Sequence, residues 1–242
     1  MGGIAFLLAF LYFEFQLESL SLLFFHDICV TLIACISLYR IDSTVFERRI
    51  PYVFSVIGTI MAFGSMLVLP MLSLGYPLIV LLIRLDDKNF KRKLLAILQC
   101  SLSWLLGYAL TMGIKLLISK FFIMSDSGGS MVKHYLSGTI RDHVHRQKDV
   151  FRLAFVFSPV KRDAVIALVI VLLLLIVLKK SYEHIIAGIP YLVVGLIPIV
   201  WIIVMCRHST HGWTPYNYSI TLASVIQGAM IILKRSKTKS EI

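Results

Sequence analysis

Residues 164–178 read AVIALVIVLLLLIVL, a run without one polar side chain, set between Lys161-Arg162-Asp163 and Lys179-Lys180. Such a run belongs either in a large protein core or in a bilayer, and charge at both ends favours the bilayer. It has company. Comparable stretches occupy about 4–19, 20–39, 51–68, 69–85, 96–123, 187–206 and 219–233, each bounded by charge, Pro or Gly. With 58% hydrophobic residues and a mean hydropathy of +0.87 over 242 residues, the chain carries more apolar surface than one water-facing core can hide. Soluble domains contain roughly 45–50% apolar residues. The expectation is an all-α integral membrane protein, with one transmembrane domain over 1–242. It would be a polytopic bundle of about eight helices, each near the ~20 residues that a crossing needs.

Charge adds orientation. The formal net charge is +11, from 24 basic and 13 acidic residues. In a soluble protein that excess would suggest nucleic acid. Here the basic residues flank apolar spans, as topogenic charge does, so no nucleic-acid partner is expected. If the spans alternate, 40–49, 84–93, 179–180 and the tail from Lys234 share one side, and fewer basic residues fall on the other. The positive-inside rule then puts both termini in the cytoplasm of a cell inner (plasma) membrane. Residues 4–13 (IAFLLAFLYF) lack a preceding basic region and a following cleavage site, so they read as a span, not a cleaved leader. Cys29, Cys35, Cys100 and Cys206 show no CxxC and no metal spacing; they read as small buried hydrophobes.

The longest polar stretch, 125–163, falls on the external side. It enters through Ser125-Asp126-Ser127-Gly128-Gly129-Ser130. Val132, Tyr135, Leu136, Ile140, Val144 and Phe151 then recur among charges, which predicts an amphipathic external segment on the membrane surface.

Ionisable groups inside apolar runs are functional candidates, because charge is costly in lipid. His26 and Asp27 lie within the second run, and Lys115 within the fifth. Arg207, His208 and His211 form the turn after the seventh, while Glu14 and Glu18 close the first. With alternating spans all of these reach the external side at similar depth. Lys and Arg together suit a phosphate, the first as a point charge and the second as a fork. Histidine adds a donor able to move protons near neutral pH. Lys115, Arg207, His208, His211 and His26 are therefore the substrate-binding candidates. Asp27, Glu14 and Glu18 are the candidate catalytic carboxylates. Asp27 and His26 are chain neighbours and do not face each other on a helix, so Asp27 is expected to pair across the bundle, with Lys115. His208 and His211 share a helical face, yet a metal site needs further ligands, and no metal or cofactor is assigned. Lys120 is expected to snorkel outward. Walker, GxSxG, HExxH and dinucleotide motifs are absent from the sequence, which disfavours an ATP-driven machine or a soluble-type hydrolase.

Two stretches carry a resemblance. Ser103-Trp104-Leu105-Leu106-Gly107-Tyr108, running on to Lys115, and Arg207-His208-Ser209-Thr210-His211 resemble a Trp/Gly-Tyr/Lys span and an Arg/Asn-His-Ser-x-x-His loop. Those features belong to bacterial polytopic proteins of surface-polysaccharide systems, similar in layout to polyprenol-dependent membrane glycosyltransferases. The likeness covers roughly residues 100–220. It implies a protein of surface-glycan assembly that acts on a lipid-phosphate-linked sugar at the outer face, with Lys115, His208 and His211 at the site. Membrane lipid, lipid-linked glycan and other envelope-assembly proteins would be its partners. The chain departs from those glycosyltransferases in having just Glu14 to Ser19 where they carry a substantial acidic first outer loop. A transporter or flippase, or a non-catalytic membrane subunit, are the alternatives.

Overall fold

The computed structural model describes residues 22–41, 43–64, 70–85, 89–122, 182–204, 220–221 and 223–232. These form six helices and no strands. We label them α1 (Leu22–Arg40), α2 (Ser43–Gly64), α3 (Leu72–Arg84), α4 (Phe90–Phe122), α5 (Tyr182–Val204) and α6 (Ala223–Ile232). The expected stretches 4–19 and 164–178 and the external segment 125–163 lie outside the described residues, as do Glu14, Glu18, Arg207, His208 and His211.

Helix α3 stands at the centre. From Leu72 to Ile79 every residue is buried, and Leu81 and Leu82 are too. A helix apolar on all sides can be satisfied only by neighbours on all sides. It packs most extensively on α1 and also meets α2, α4 and α5. Around this core the chain winds up and down. Arg84 at the end of α3 touches Leu38 and Ile41 at the end of α1, so these two run parallel. Helices α2 and α4 run the other way and form the largest helix–helix contact. Gly58 of α2 faces the backbone of Trp104 and Tyr108, and Gly107 of α4 faces Ser55 and Thr59. A Cβ at either glycine would strike the opposing backbone. Small residues here allow the close approach typical of helices that associate without a hydrophobic drive. Thr59 Oγ1 donates to the Gly107 carbonyl across the seam at 3.4 Å. Helices α5 and α6 repeat the device in antiparallel fashion, where Gly188 abuts Gly228 and Thr221 Oγ1 donates to the Gly195 carbonyl at 2.8 Å.

Two helices begin earlier than the sequence suggests. Helix α2 starts at Ser43 and passes through Pro51, which the apolar pattern marks as a start. Proline disfavours a helix interior because it lacks an N–H and crowds the preceding turn, yet here the helix continues around it. Helix α4 starts at Phe90, ahead of Lys91, Arg92 and Lys93. Cations sit poorly at the positive end of a helix dipole. The cap explains the start: Asn89 Oδ1 accepts from the Arg92 N–H at 2.9 Å, occupying one of the four orphan donors of the first turn. Among the described residues one helix, Phe90–Phe121, is long and apolar enough to cross a membrane, and shorter apolar helices cover Arg49–Gly64, Leu72–Arg84, Ile186–Pro198 and Ala223–Ile232.

Helix α4 is apolar on both faces. Ile97, Cys100, Trp104 and Tyr108 turn inward, whereas Leu98, Leu106, Leu110, Ile114 and Phe121 are exposed. Exposed apolar surface continues onto α1 and α2 through Ile33, Ile36, Val56 and Phe63. Monomers that face water rarely show so continuous a patch.

Candidate functional site

The carboxy-terminal end of α2 is where polar groups from separate helices meet. A helix leaves its last four carbonyls without intrahelical partners. Lys115 of α4 takes two of them, donating from Nζ to the Ala62 carbonyl at 2.7 Å and the Phe63 carbonyl at 2.6 Å. Its Nζ also stands 5.6 Å from the centre of the Phe63 ring, within range of a cation–π attraction. His26 of α1 reaches the same turn, with Nε2 at 3.2 Å from the Ile60 carbonyl, so that nitrogen carries the proton. Gly64 makes room for it: a Cβ there would collide with the imidazole ring.

Asp27 follows His26 by one residue, about 100° around the helix at 3.6 residues per turn, and points elsewhere. It is 1% exposed, one of the most deeply buried polar side chains described. Tyr108 of α4 is buried as well, at 5% exposure. Tyr108 stacks on Trp104 with ring centres 4.9 Å apart and planes at 16°, and Trp201 of α5 meets it edge-on at 6.3 Å. The Tyr108 hydroxyl is buried and makes no hydrogen bond among the described residues. Trp104 is anchored: its Nε1 donates to Ser73 Oγ at 3.1 Å, and Ser73 in turn donates to the Pro70 carbonyl at 2.9 Å. A carboxylate, a phenol and two indoles thus share one interior region, near the bundle end where a histidine and a lysine cap α2.

His26, Asp27 and Lys115 therefore approach the same end of the bundle, from α1 and α4. The lysine ammonium is directed to the α2 carbonyls. Two of its three N–H donors are used there, which leaves one for a ligand. Lys120 is exposed, in keeping with an outward course. Cys29, Cys35 and Cys100 are free thiols. Among the described residues no three His, Cys, Asp or Glu side chains gather as a metal site would require.

Ser73 and Trp201 carry no sequence signal, whereas Trp104 and Tyr108 belong to the stretch that carries the resemblance and lie with Lys115 at helical spacings of four and seven along α4, which is one helical face. Their partners on α1, α3 and α5 cannot be read from that spacing.

No protein-family model, curated protein or solved structure matches the chain.

Proposed function

We propose that this chain is a multi-pass protein of a bacterial inner membrane, with both termini cytoplasmic, and that it handles a lipid-phosphate-linked sugar at the outer face during surface-glycan assembly. The observation that carries this reading is Asp27: a carboxylate 1% exposed within an apolar helix, next in sequence to His26, whose ring reaches the α2 turn that Lys115 also binds. In lipid an ionisable side chain so placed marks a functional pathway or site. The exposed apolar faces of α1, α2 and α4 support the membrane setting.

In this reading Asp27 is the general base, with Glu14 and Glu18 as further carboxylate candidates. An acceptor hydroxyl gives its proton to the carboxylate as its oxygen bonds to the anomeric carbon. The bond from that carbon to the phosphate oxygen breaks, and the lipid phosphate leaves with the electron pair. Lys115, Arg207, His208, His211 and His26 would receive the charge that develops on it, the type of preorganised stabilisation that lowers such barriers. Membrane lipid, the lipid-linked glycan and other envelope-assembly proteins are its partners.

Purified protein in proteoliposomes, supplied with a polyprenyl-phosphate-linked sugar and an acceptor glycan, should transfer the sugar. Asp27→Asn should reduce transfer by about 100-fold or more, as loss of a general base does, while the variant still inserts. Full transfer by Asp27→Asn would exclude the base role. Transport of the lipid-linked sugar is the second reading. Pro77, Pro190 and Pro198 lie inside α3 and α5, which continue past them, and Ser224 and Gln227 are buried on α6; interior prolines and polar groups suit a moving path. Translocation without chemical change, in the same vesicles, would select it.

A further inference from the structure

The groove between α1 and α2 reaches the polar site only at Ile60, whose carbonyl faces His26. Ala34 and Ile57 form its floor and are 3% and 6% exposed; Ile33 and Val56 form its walls and are 64% and 57% exposed. It encloses about 750 Å³ and runs from Arg49 and Tyr52 at one end to Val30 and Ile60 at the other. From Tyr52 to Ile60 the helix rises about 12 Å. Charge is confined to one end of it. Arg49 is exposed there and makes no hydrogen bond or ion pair among the described residues.

This layout discriminates between occupants. An apolar helix seated in the groove would leave the exposed Arg49 guanidinium at its end without a counter-charge. A phospholipid carries a flexible hydrocarbon chain and a phosphate in the required order. We propose that the groove holds one anionic phospholipid, its acyl chain along Ala34 and Ile57 and its phosphate on Arg49. Guanidinium binds phosphate oxygens through two parallel hydrogen bonds. Tyr52, 73% exposed beside it, stands where an amphipathic ring meets headgroups. In the proposed orientation this end is cytoplasmic, the leaflet that attracts basic residues through its anionic lipids. The inference rests on the membrane-spanning part of the proposed function and is independent of the glycan chemistry.

The test is native mass spectrometry of the full chain, mixed with phosphatidylglycerol and phosphatidylcholine of matched acyl chains. The wild type should retain one phosphatidylglycerol with a preference of about tenfold or more, the scale of one charge-assisted hydrogen bond. Arg49→Gln should remove that preference, Arg49→Lys should keep part of it, and Ala34→Phe should lower retention of both lipids by filling the floor. An unchanged preference in Arg49→Gln, or unchanged retention in Ala34→Phe, overturns the proposal. So does disulfide crosslinking of two chains through Val56→Cys, which would assign the groove to a second copy. Release of the protein from membranes by alkaline carbonate would sink the membrane reading as well. A firmly embedded protein without lipid preference would sink this inference alone.

Discussion

An ammonium group on an apolar helix needs acceptors, and Lys115 finds two at Ala62 and Phe63. Arg84 does the same at the opposite end of the bundle, donating from Nη1 to the Leu38 and Ile41 carbonyls, both at 2.6 Å. Both cations sit at helix carboxy termini, where the macrodipole favours them. Lys115→Met should therefore lower stability by about 1–3 kcal/mol, the range for hydrogen bonds to charged groups, read as a fall in the thermal midpoint of detergent-purified protein. Lys115→Arg should recover most of it. An unchanged midpoint in Lys115→Met would show that water serves these carbonyls equally well. Tyr108 makes the opposite case. Its buried hydroxyl has no hydrogen-bond partner among the described residues, so Tyr108→Phe should leave the thermal midpoint level or raise it. A lowered midpoint in Tyr108→Phe would show that the hydroxyl has a partner. Sequence reasoning singles out Lys115, Asp27 and His26 because ionisable groups in apolar runs are rare. Their partners stay hidden, since the Ala62 carbonyl lies 53 residues from Lys115 and only folding brings it near.

Helix pairs here are governed by where glycine sits. Gly58 and Gly107 hold α2 against α4 at backbone contact, whereas Gly113, on the same helix α4, has nothing within 4 Å of the place a Cβ would occupy. The three positions should respond in opposite directions. Gly58→Val or Gly107→Val should cost about 1–3 kcal/mol or more by overpacking. Gly113→Ala should stabilise by up to about 1 kcal/mol, because alanine is the better helix former. Denaturation of the three variants side by side checks this; a destabilising Gly113→Ala would reveal a neighbour at that face. The apolar runs make these helices legible in the sequence, but their starts are less so. Pro51 looks like a beginning and is an interior residue of α2. The charges at 91–93 look like a loop and form the first turn of α4, because Asn89 caps it. In each case a local cue lost to a wider one: continuing helix in α2, a capped start in α4.

At the scale of the molecule the apolar surface has two destinations. Helix α3 consumes its own by burial on every side. Helices α1, α2 and α4 leave theirs facing outward, and in the proposed membrane setting lipid would solvate such faces. Asp27, His26 and Lys115 then lie toward one end of the assembly and Arg84 and Arg40 toward the other. Composition, with 58% hydrophobic residues, carries the expectation of a membrane setting, and among the described residues one helix, Phe90–Phe121, is long and apolar enough to cross. Which side chains meet at the polar end is set by the crossing of α1, α2 and α4, which no spacing in one helix encodes.

Cysteine accessibility in intact cells tests this most directly. In a background with the native cysteines replaced, His26→Cys, Arg40→Cys and Leu106→Cys are each treated with a membrane-impermeant maleimide. The account predicts labelling of His26→Cys from outside, of Arg40→Cys only after the membrane is opened, and protection of Leu106→Cys throughout. Labelling of His26→Cys and Arg40→Cys from the same side, or ready labelling of Leu106→Cys in intact cells, would contradict it.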